Sequence, residues 1–249
     1  MTEQIFKDRT AIVTGGGRGI GRSICQMLAD HGARVAVIFA ENQQAADETV
    51  SMIAGQAERA MAVQADVSQA TDVDRMMQTV REQLGPIDFL VNNAGIASTT
   101  SHQDLNFDDW KRMFEVNVDG PFLTTWAVKD EMIERQFGRI VNISSIAGMV
   151  IKSQMIHYAT TKAALNSFTR HCAEAFAPFN VRVNCVAPGL TNTELARIAN
   201  PDQIDHLISI TAMKRIGEPA EIASVVKFLL SDDSSFVTGQ TVPACGGRC

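Results

Sequence analysis

The chain has one tyrosine and two tryptophans among 249 residues, and aromatic residues make up only 6% of it. Tyr158 therefore has to be explained by its own surroundings, not as one packing ring among many. Basic runs are also missing: 22 Lys and Arg are dispersed among 28 Asp and Glu, for a net charge of -6. Nucleic acid or an anionic membrane surface needs a clustered positive patch, so neither is an expected partner. No apolar run is long enough to span a bilayer, and the opening MTEQIFKDRT holds no apolar core of signal-peptide length. A cytoplasmic protein is expected. Cys25, Cys172, Cys185, Cys245 and Cys249 are odd in number and lack C-x-x-C spacing, which reads as free thiols in a reducing compartment. Five dispersed histidines without an H-E-x-x-H leave a metal site with no pattern to support it.

What is present is alternation. Short runs rich in β-branched residues fall at 10–14, 34–39, 60–64, 87–91, 139–143, 181–185 and 239–242. Between them lie helical patterns at 20–29, 42–53, 70–84, 108–135, 155–175 and 219–230. Strands that are apolar throughout, each followed by a helix, imply a parallel sheet covered on both faces. Right-handed crossovers then give one doubly wound α/β domain over 1–249, with about seven strands. The stretch 191–213 breaks the rhythm and is expected to form an excursion over the sheet edge, placed as a lid on the substrate.

The turn after the first strand reads Thr14-Gly15-Gly16-Gly17-Arg18-Gly19-Ile20-Gly21. Glycines there let the backbone approach a pyrophosphate, and the following helix N-terminus offers free N–H groups and positive potential. This points to a dinucleotide. The second strand ends on Phe39, where an acid would bond the ribose 2′-OH of NAD, and Glu41 falls slightly late. Arg18 is placed to meet a 2′-phosphate, so NADP(H) is favoured, with NAD(H) the alternative.

Tyr158 and Lys162 stand one helical turn apart on one face. A lysine ammonium beside a phenol favours the phenolate and would bring Tyr158, with an ordinary pKa of about 10, toward useful proton transfer. Ser144 and Ser145 follow the strand 139–143, Asn92-Asn93-Ala94-Gly95 follows another and Pro188-Gly189 a third. The carboxyl ends of parallel strands are where such sheets handle ligands. A serine hydroxyl there can hold a substrate oxygen for Tyr158.

With these motifs in this order, nearly the whole chain, from Thr10 to Gly247, resembles the short-chain dehydrogenase/reductase family. The resemblance implies a single-domain Rossmann fold and an NAD(P)-dependent interconversion of a carbonyl and a secondary alcohol. Ser145, rather than Ser144, would position the carbonyl oxygen, and Tyr158 would deliver the proton. Lys162 would tune Tyr158 and hold the ribose hydroxyls, while Asn117 would keep a water linking Lys162 to solvent. Gly15, Gly17, Arg18, Gly19, Ile20 and Gly21 would form the phosphate side of the cofactor site. Phe39, Asp66 and Val67 would border the adenosine, with Asn93, Ala94 and Gly95 beside the cofactor. Pro188, Gly189, Thr191 and Thr193 would cover the carboxamide end.

Within the family the chain is most similar to bacterial 3-oxoacyl-[acyl-carrier-protein] reductases, which implies NADPH, a homotetramer and an acyl carrier protein as partner. Two departures stand against the last expectation. Gln136 and Phe179 occupy positions where relatives that dock the acidic carrier tend to show arginines, leaving Arg135, Arg139 and Arg182 to compensate. The tail holds Cys245 where the family usually has an acidic or amide residue, and a subunit contact there would bring Cys245 or Cys249 toward a symmetry mate, against the plainer expectation of an unpaired thiol. Met149, Val150, Ile151, Met155 and Ile156 suggest an apolar pocket, suited to an acyl chain or hydrophobic ketone. An alcohol or polyol dehydrogenase is the alternative within the class. A nucleotide-binding regulator that lost its chemistry is the alternative outside it, and would show erosion among Ser145, Tyr158, Lys162 and Asn117.

Overall fold

A computed structural model describes residues 3–53, 60–194, 196 and 201–249. The strands are β1 (Thr10–Thr14), β2 (Arg34–Phe39), β3 (Ala60–Gln64), β4 (Phe89–Asn92), β5 (Gly138–Ile143), β6 (Val181–Pro188) and β7 (Thr241–Ala244). They form one sheet in the order β3-β2-β1-β4-β5-β6-β7, with every adjacent pair parallel. The helices are α1 (Gly19–Asp30), α2 (Gln43–Ile53), α3 (Ala70–Leu84), α4 (Phe107–Phe114), α5 (Gly120–Glu134), α6 (Ile156–Phe176), α7 (Pro201–Ser209) and α8 (Pro219–Leu230). The doubly wound α/β fold expected from the sequence is the observed one.

Alternation along each strand decides which helix it meets. Ala11 and Val13 of β1 join Ile24 and Leu28 of α1 and Ile222 and Val226 of α8 in the core on one face. Ile12 between them joins Val73 and Met76 of α3, Val128 and Met132 of α5 and Cys172 of α6 on the other. The chain leaves β3 at one edge and returns to β4 on the far side of β1. The loops after β1 and β4 therefore part in opposite directions, and the crevice between them is the natural place for a ligand.

The helix expected over 108–135 is broken. Asn106 caps α4 by accepting the amides of Asp108 and Asp109, and α4 then widens into a π-helical turn, Glu115–Asp119, before α5. A π turn adds a residue and rotates the helix beyond it, a device common at functional sites. Here it buries Asn117 completely. In the excursion, Thr191 bridges Gly217 and α7 is helical; 195 and 197–200 lie outside the described residues. Among the described residues no helix is long and apolar enough to cross a membrane.

A line of polar side chains crosses the centre of the sheet. Thr124 donates to Asn92 Oδ1 at 2.7 Å, Asn92 Nδ2 donates to Asn142 Oδ1 at 2.9 Å, and Asn142 Nδ2 donates to Thr169 at 2.9 Å. All four residues are buried, so each bond satisfies a group that has no recourse to water. Asn92→Ala strands an Asn142 oxygen, while the Thr124 hydroxyl falls back on the Gly120 carbonyl at 2.9 Å; the substitution should cost about 2 kcal/mol in urea denaturation.

Candidate active site

The site begins at the end of β5. Ser144 donates its hydroxyl to the Lys162 carbonyl at 3.1 Å, and Lys162 Nζ donates to the Ile143 carbonyl at 3.0 Å. These two bonds clamp α6 to the strand end. Gly148 permits the approach, since a Cβ there would lie 2.7 Å from the Lys162 carbonyl carbon and the Ala163 nitrogen. Ser145 caps the short turn Ile146–Gly148 through the Ala147 amide, and its hydroxyl lies against Tyr158. Lys162 Nζ stands 5.7 Å from the Tyr158 ring centroid. The structure thus brings Ser145, Tyr158 and Lys162 together.

Asn117 joins them through Gly95. A Cβ on Gly95 would sit 3.1 Å from Asn117 Oδ1 and 3.5 Å from Lys162 Nζ. The Asn117 amide is fully engaged: Oδ1 accepts the Ile96 amide and Nδ2 donates to the Ile96 carbonyl, both at 2.9 Å. It also meets Thr161 at 3.2 Å. Any water held by this residue would rest on its main chain.

Burial governs the protonation states. It pushes the Tyr158 phenol above its ordinary value, with the Ser145 hydrogen bond opposing. It also pulls Lys162 down, from an ordinary 10.5 to about 8. Burial therefore outweighs the help that Lys162 was expected to give the phenolate. The lysine charge is itself desolvated, and its ammonium points to the Ile143 carbonyl. Tyr158 is held as the neutral phenol, the form that gives a proton.

The glycine turn after β1 is a cradle that Cβ atoms would fill. Gly15 has φ +64°, and a Cβ there would crowd Asn93 Nδ2 at 3.0 Å; on Gly21 it would meet the Gly15 carbonyl oxygen at 2.1 Å. Asn93 and Ala94 support this turn. Both amides donate to Thr14 Oγ1 at 2.9 Å, and Asn93 Nδ2 donates to the Thr14 and Gly15 carbonyls. A turn of glycines packed this closely, leading into the α1 N-terminus where Gly19 and Ile20 stand, fits a pyrophosphate. Phe39 closes β2 with no acid beside it, and Arg18 reaches across to Glu194 at 2.7 Å, with both side chains exposed. Burial works against the Asp66 carboxylate, but the Ser68 amide and hydroxyl and the Arg112 guanidinium outweigh it and hold the carboxyl below its ordinary range. Val67 packs under Gly120.

Opposite the cradle, Gly189 donates to the Ala244 carbonyl at 2.9 Å beyond Pro188, and Thr191 bonds back to the Gly189 carbonyl. Thr193 approaches Gly19, whose Cβ would lie 3.2 Å from it. The catalytic and cofactor residues expected from the sequence stand at or just after the carboxyl ends of β1 to β6, on the π turn, or on α6.

Two contributors went unread. Arg22 ties the cradle to α2 by donating to the Gly17 and Ala45 carbonyls. His157, fully buried beside Tyr158, meets Ser98 at 2.7 Å, and burial holds its imidazole below the ordinary value against the opposing pull of Asp109. Only its position next to Tyr158 could have marked it.

Residues 9–204 match the family model described as short chain dehydrogenase. The chain is 38% identical over 240 residues to a 3-oxoacyl-[acyl-carrier-protein] reductase of Synechocystis sp., covering 96% of each. It is also 38% identical over 240 residues to an acetoacetyl-CoA reductase of Allochromatium vinosum, covering 96% of this chain and 98% of that one. A solved structure of a 3-oxoacyl-[acyl-carrier protein] reductase with bound NAD from Brucella melitensis matches with a TM-score of 0.90 at 35% identity, over 98% of this chain and 92% of that one.

Because the folded Lys162 titrates near 8 and an unfolded lysine near 10.5, the folded chain carries an unfavourable buried charge below pH 8. That penalty is relieved as pH rises from the folded value to the unfolded one. Measured against Lys162→Met, which has no titrating group here, the parent should therefore gain up to ~3 kcal/mol of relative stability as pH rises from about 8 toward 10.5. Paired urea titrations at several pH values read this change.

Proposed function

The chain belongs to the short-chain dehydrogenase family, and from that premise we propose that it reduces the 3-oxo group of an acyl thioester with NADPH. That it is an oxidoreductase acting on carbonyl compounds follows from the family and its reductase relatives. The observation that carries the rest is the neutral, buried Tyr158 set between Ser145 and Lys162. When bound, the nicotinamide cofactor supplies the hydride to the carbonyl carbon. The Ser145 hydroxyl donates a hydrogen bond to the carbonyl oxygen and fixes its position. Tyr158 gives its phenolic proton to that oxygen, completing the alcohol. Lys162, whose pKa of about 8 lets it exchange a proton near neutrality, stabilises the phenolate left behind and returns a proton to it. Gly15, Gly17, Gly19 and Gly21 would hold the pyrophosphate, and Asp66 and Val67 would border the adenine.

NADPH is favoured because β2 ends without an acid to repel a 2′-phosphate, while Arg18 stands at the cradle paired with the exposed Glu194. An exposed pair of this kind holds weakly. Arg18→Ala should raise the KM for NADPH by about tenfold or more and leave that for NADH nearly unchanged, as expected for loss of one charge-assisted contact.

The substrate mouth is apolar. Met149, Ile151 and Ile156 after β5, and Ile210 and Met213 of the excursion, are all exposed, Ile151 almost entirely. These suit an acyl chain. Docking of a carrier protein is less well served. Arg139 donates to the Gly138 and Asn180 carbonyls, and Arg182 to Leu229, Ser231 and Ser234, both from buried positions. Arg135 is paired with Asp88 and Glu131. None is free to compensate for Gln136 and Phe179, so a coenzyme A thioester is the preferred carrier in this reading. We assign the reaction to the cytoplasm, where five unpaired cysteines remain reduced.

The expected homotetramer has support in two separate apolar faces, as dihedral assembly requires. Phe122 and Trp126 of α5 stack at 4.3 Å, with Phe168 of α6 alongside, and both are about 40% exposed. Phe228 of α8 and Phe236, near the unpaired edge of β7, make the second face. Trp126→Glu should yield folded dimers in sedimentation velocity. An unchanged tetramer would remove this face from the assembly.

The function itself is tested by following NADPH oxidation with acetoacetyl-CoA and with the matching carrier-protein thioester. Turnover should be faster with the coenzyme A ester, and Tyr158→Phe should lower kcat by about 10²–10⁴ while cofactor binding survives. Turnover only with a polyol and NAD would point to the oxidative alternative.

A further inference from the structure

Two successive glycines with positive φ, Gly246 at 63° and Gly247 at 79°, turn the chain back on itself after β7. The turn brings the Cys249 thiol to 3.1 Å from that of Cys245. Cys245 Sγ also accepts the Arg248 amide at 3.3 Å. Cys25, Cys172 and Cys185 are buried, whereas Cys249 is exposed and Cys245 half-buried. The turn is wedged against the site. Met213 donates to the Gly246 carbonyl at 3.0 Å, Gly189 to that of Ala244 at 2.9 Å, and a Cβ on Gly189 would lie 2.8 Å from Cys245 Cα.

We propose that Cys245 and Cys249 form a dithiol–disulfide couple that reacts with low-molecular-weight disulfides of the glutathione type and closes an intrachain bond beside the Pro188–Gly189 turn. The two thiols differ in a way that sets the order of attack. Burial opposes ionisation of Cys245, but hydrogen bonds from Cys249 and from the amides of Gly247, Arg248 and Cys249 prevail and hold it below the ordinary thiol value. Cys249 is pushed up to about 11 by burial and by its neighbour. A low thiol pKa beside backbone donors marks the attacking sulfur.

The Cys245 thiolate attacks one sulfur of the small disulfide, forming a mixed disulfide and releasing one small thiolate. Cys249 then loses its proton, attacks the Cys245 sulfur and breaks the mixed bond, releasing the second small thiolate. The chain is oxidised by two electrons, the small disulfide is reduced to two thiols, and the protons from Cys245 and Cys249 go to the departing thiolates. The sulfurs need to close by only about 1 Å to reach a bonding distance of about 2.05 Å. Closure stiffens the turn whose carbonyl holds Met213, and it is independent of which carbonyl compound the site reduces.

The test incubates the native protein with glutathione disulfide, followed by acid quench, thiol titration in denaturant and intact mass with peptide mapping. Two of the five thiols should be lost, with an intact mass lighter by two hydrogens that dithiothreitol restores, and Cys245 linked to Cys249. Cys249→Ser should stop at one glutathionyl group on Cys245, and Cys245→Ser should react about tenfold more slowly or worse at Cys249. Stable glutathionylation of both tail thiols, a disulfide-linked dimer on non-reducing electrophoresis, or retention of all thiols while a peptide dithiol is oxidised would each overturn the proposal.

Discussion

The site depends on the clamp between β5 and α6, in which the Lys162 ammonium bonds the Ile143 carbonyl and the Ser144 hydroxyl bonds the Lys162 carbonyl. A strand in the middle of a parallel sheet would ordinarily pass its last carbonyls to solvent or to a ligand. Here one of them accepts a lysine instead. The helix is thereby fixed in rotation, which aims Tyr158 at Ser145 and sets Lys162 against Gly95 and Asn117. The π turn that buries Asn117, the small residue at Gly148 and the π-turn-to-Val67 packing at Gly120 all serve to let these elements approach.

Closeness comes with desolvation, and desolvation decides the chemistry. A phenol and an ammonium withdrawn from water both shift toward their neutral forms. Tyr158 is then a proton donor at rest, and Lys162 becomes a group that can lose and regain a proton near neutrality. That arrangement suits carbonyl reduction, in which the oxygen must receive a proton as the carbon receives hydride. The same burial leaves the lysine as a source of instability, a common relation between a working site and the fold that carries it.

Much of this was legible in the residues, because strand ends in a parallel sheet are where glycines and polar groups gather. Thr14 to Gly21, Asn92 to Gly95, Ser144-Ser145 and Pro188-Gly189 each come after a readable apolar run, and the structure gathers them at one edge of the sheet. The features that escaped were non-local. β6 runs on to Pro188, three residues past its expected end, because Val186, Ala187 and Pro188 pair with β7, which lies far along the chain. Asp88 was expected inside β4, yet it sits before the strand, accepting the Thr10 amide and facing Arg9 and Arg135. The π turn escaped because Glu115-Val116-Asn117-Val118-Asp119 reads as ordinary helix, with no proline or glycine to mark a widened turn before Gly120. Arg22 and His157 act on partners distant in sequence, and the muted influence of Lys162 on Tyr158 comes from a burial that spacing cannot express.

The most direct test uses the scarcity with which the sequence begins: Tyr158 is the only tyrosine, so the phenolate absorbance of the whole protein reports this one group. Titrating the ligand-free protein by near-ultraviolet difference spectroscopy, with Tyr158→Phe as the blank, should show no phenolate at neutral pH and a midpoint above the ordinary tyrosine value of about 10. A phenolate already present near neutral pH in the free protein would contradict the account, because it would mean that Lys162 prevails over burial and that Tyr158 rests as a base.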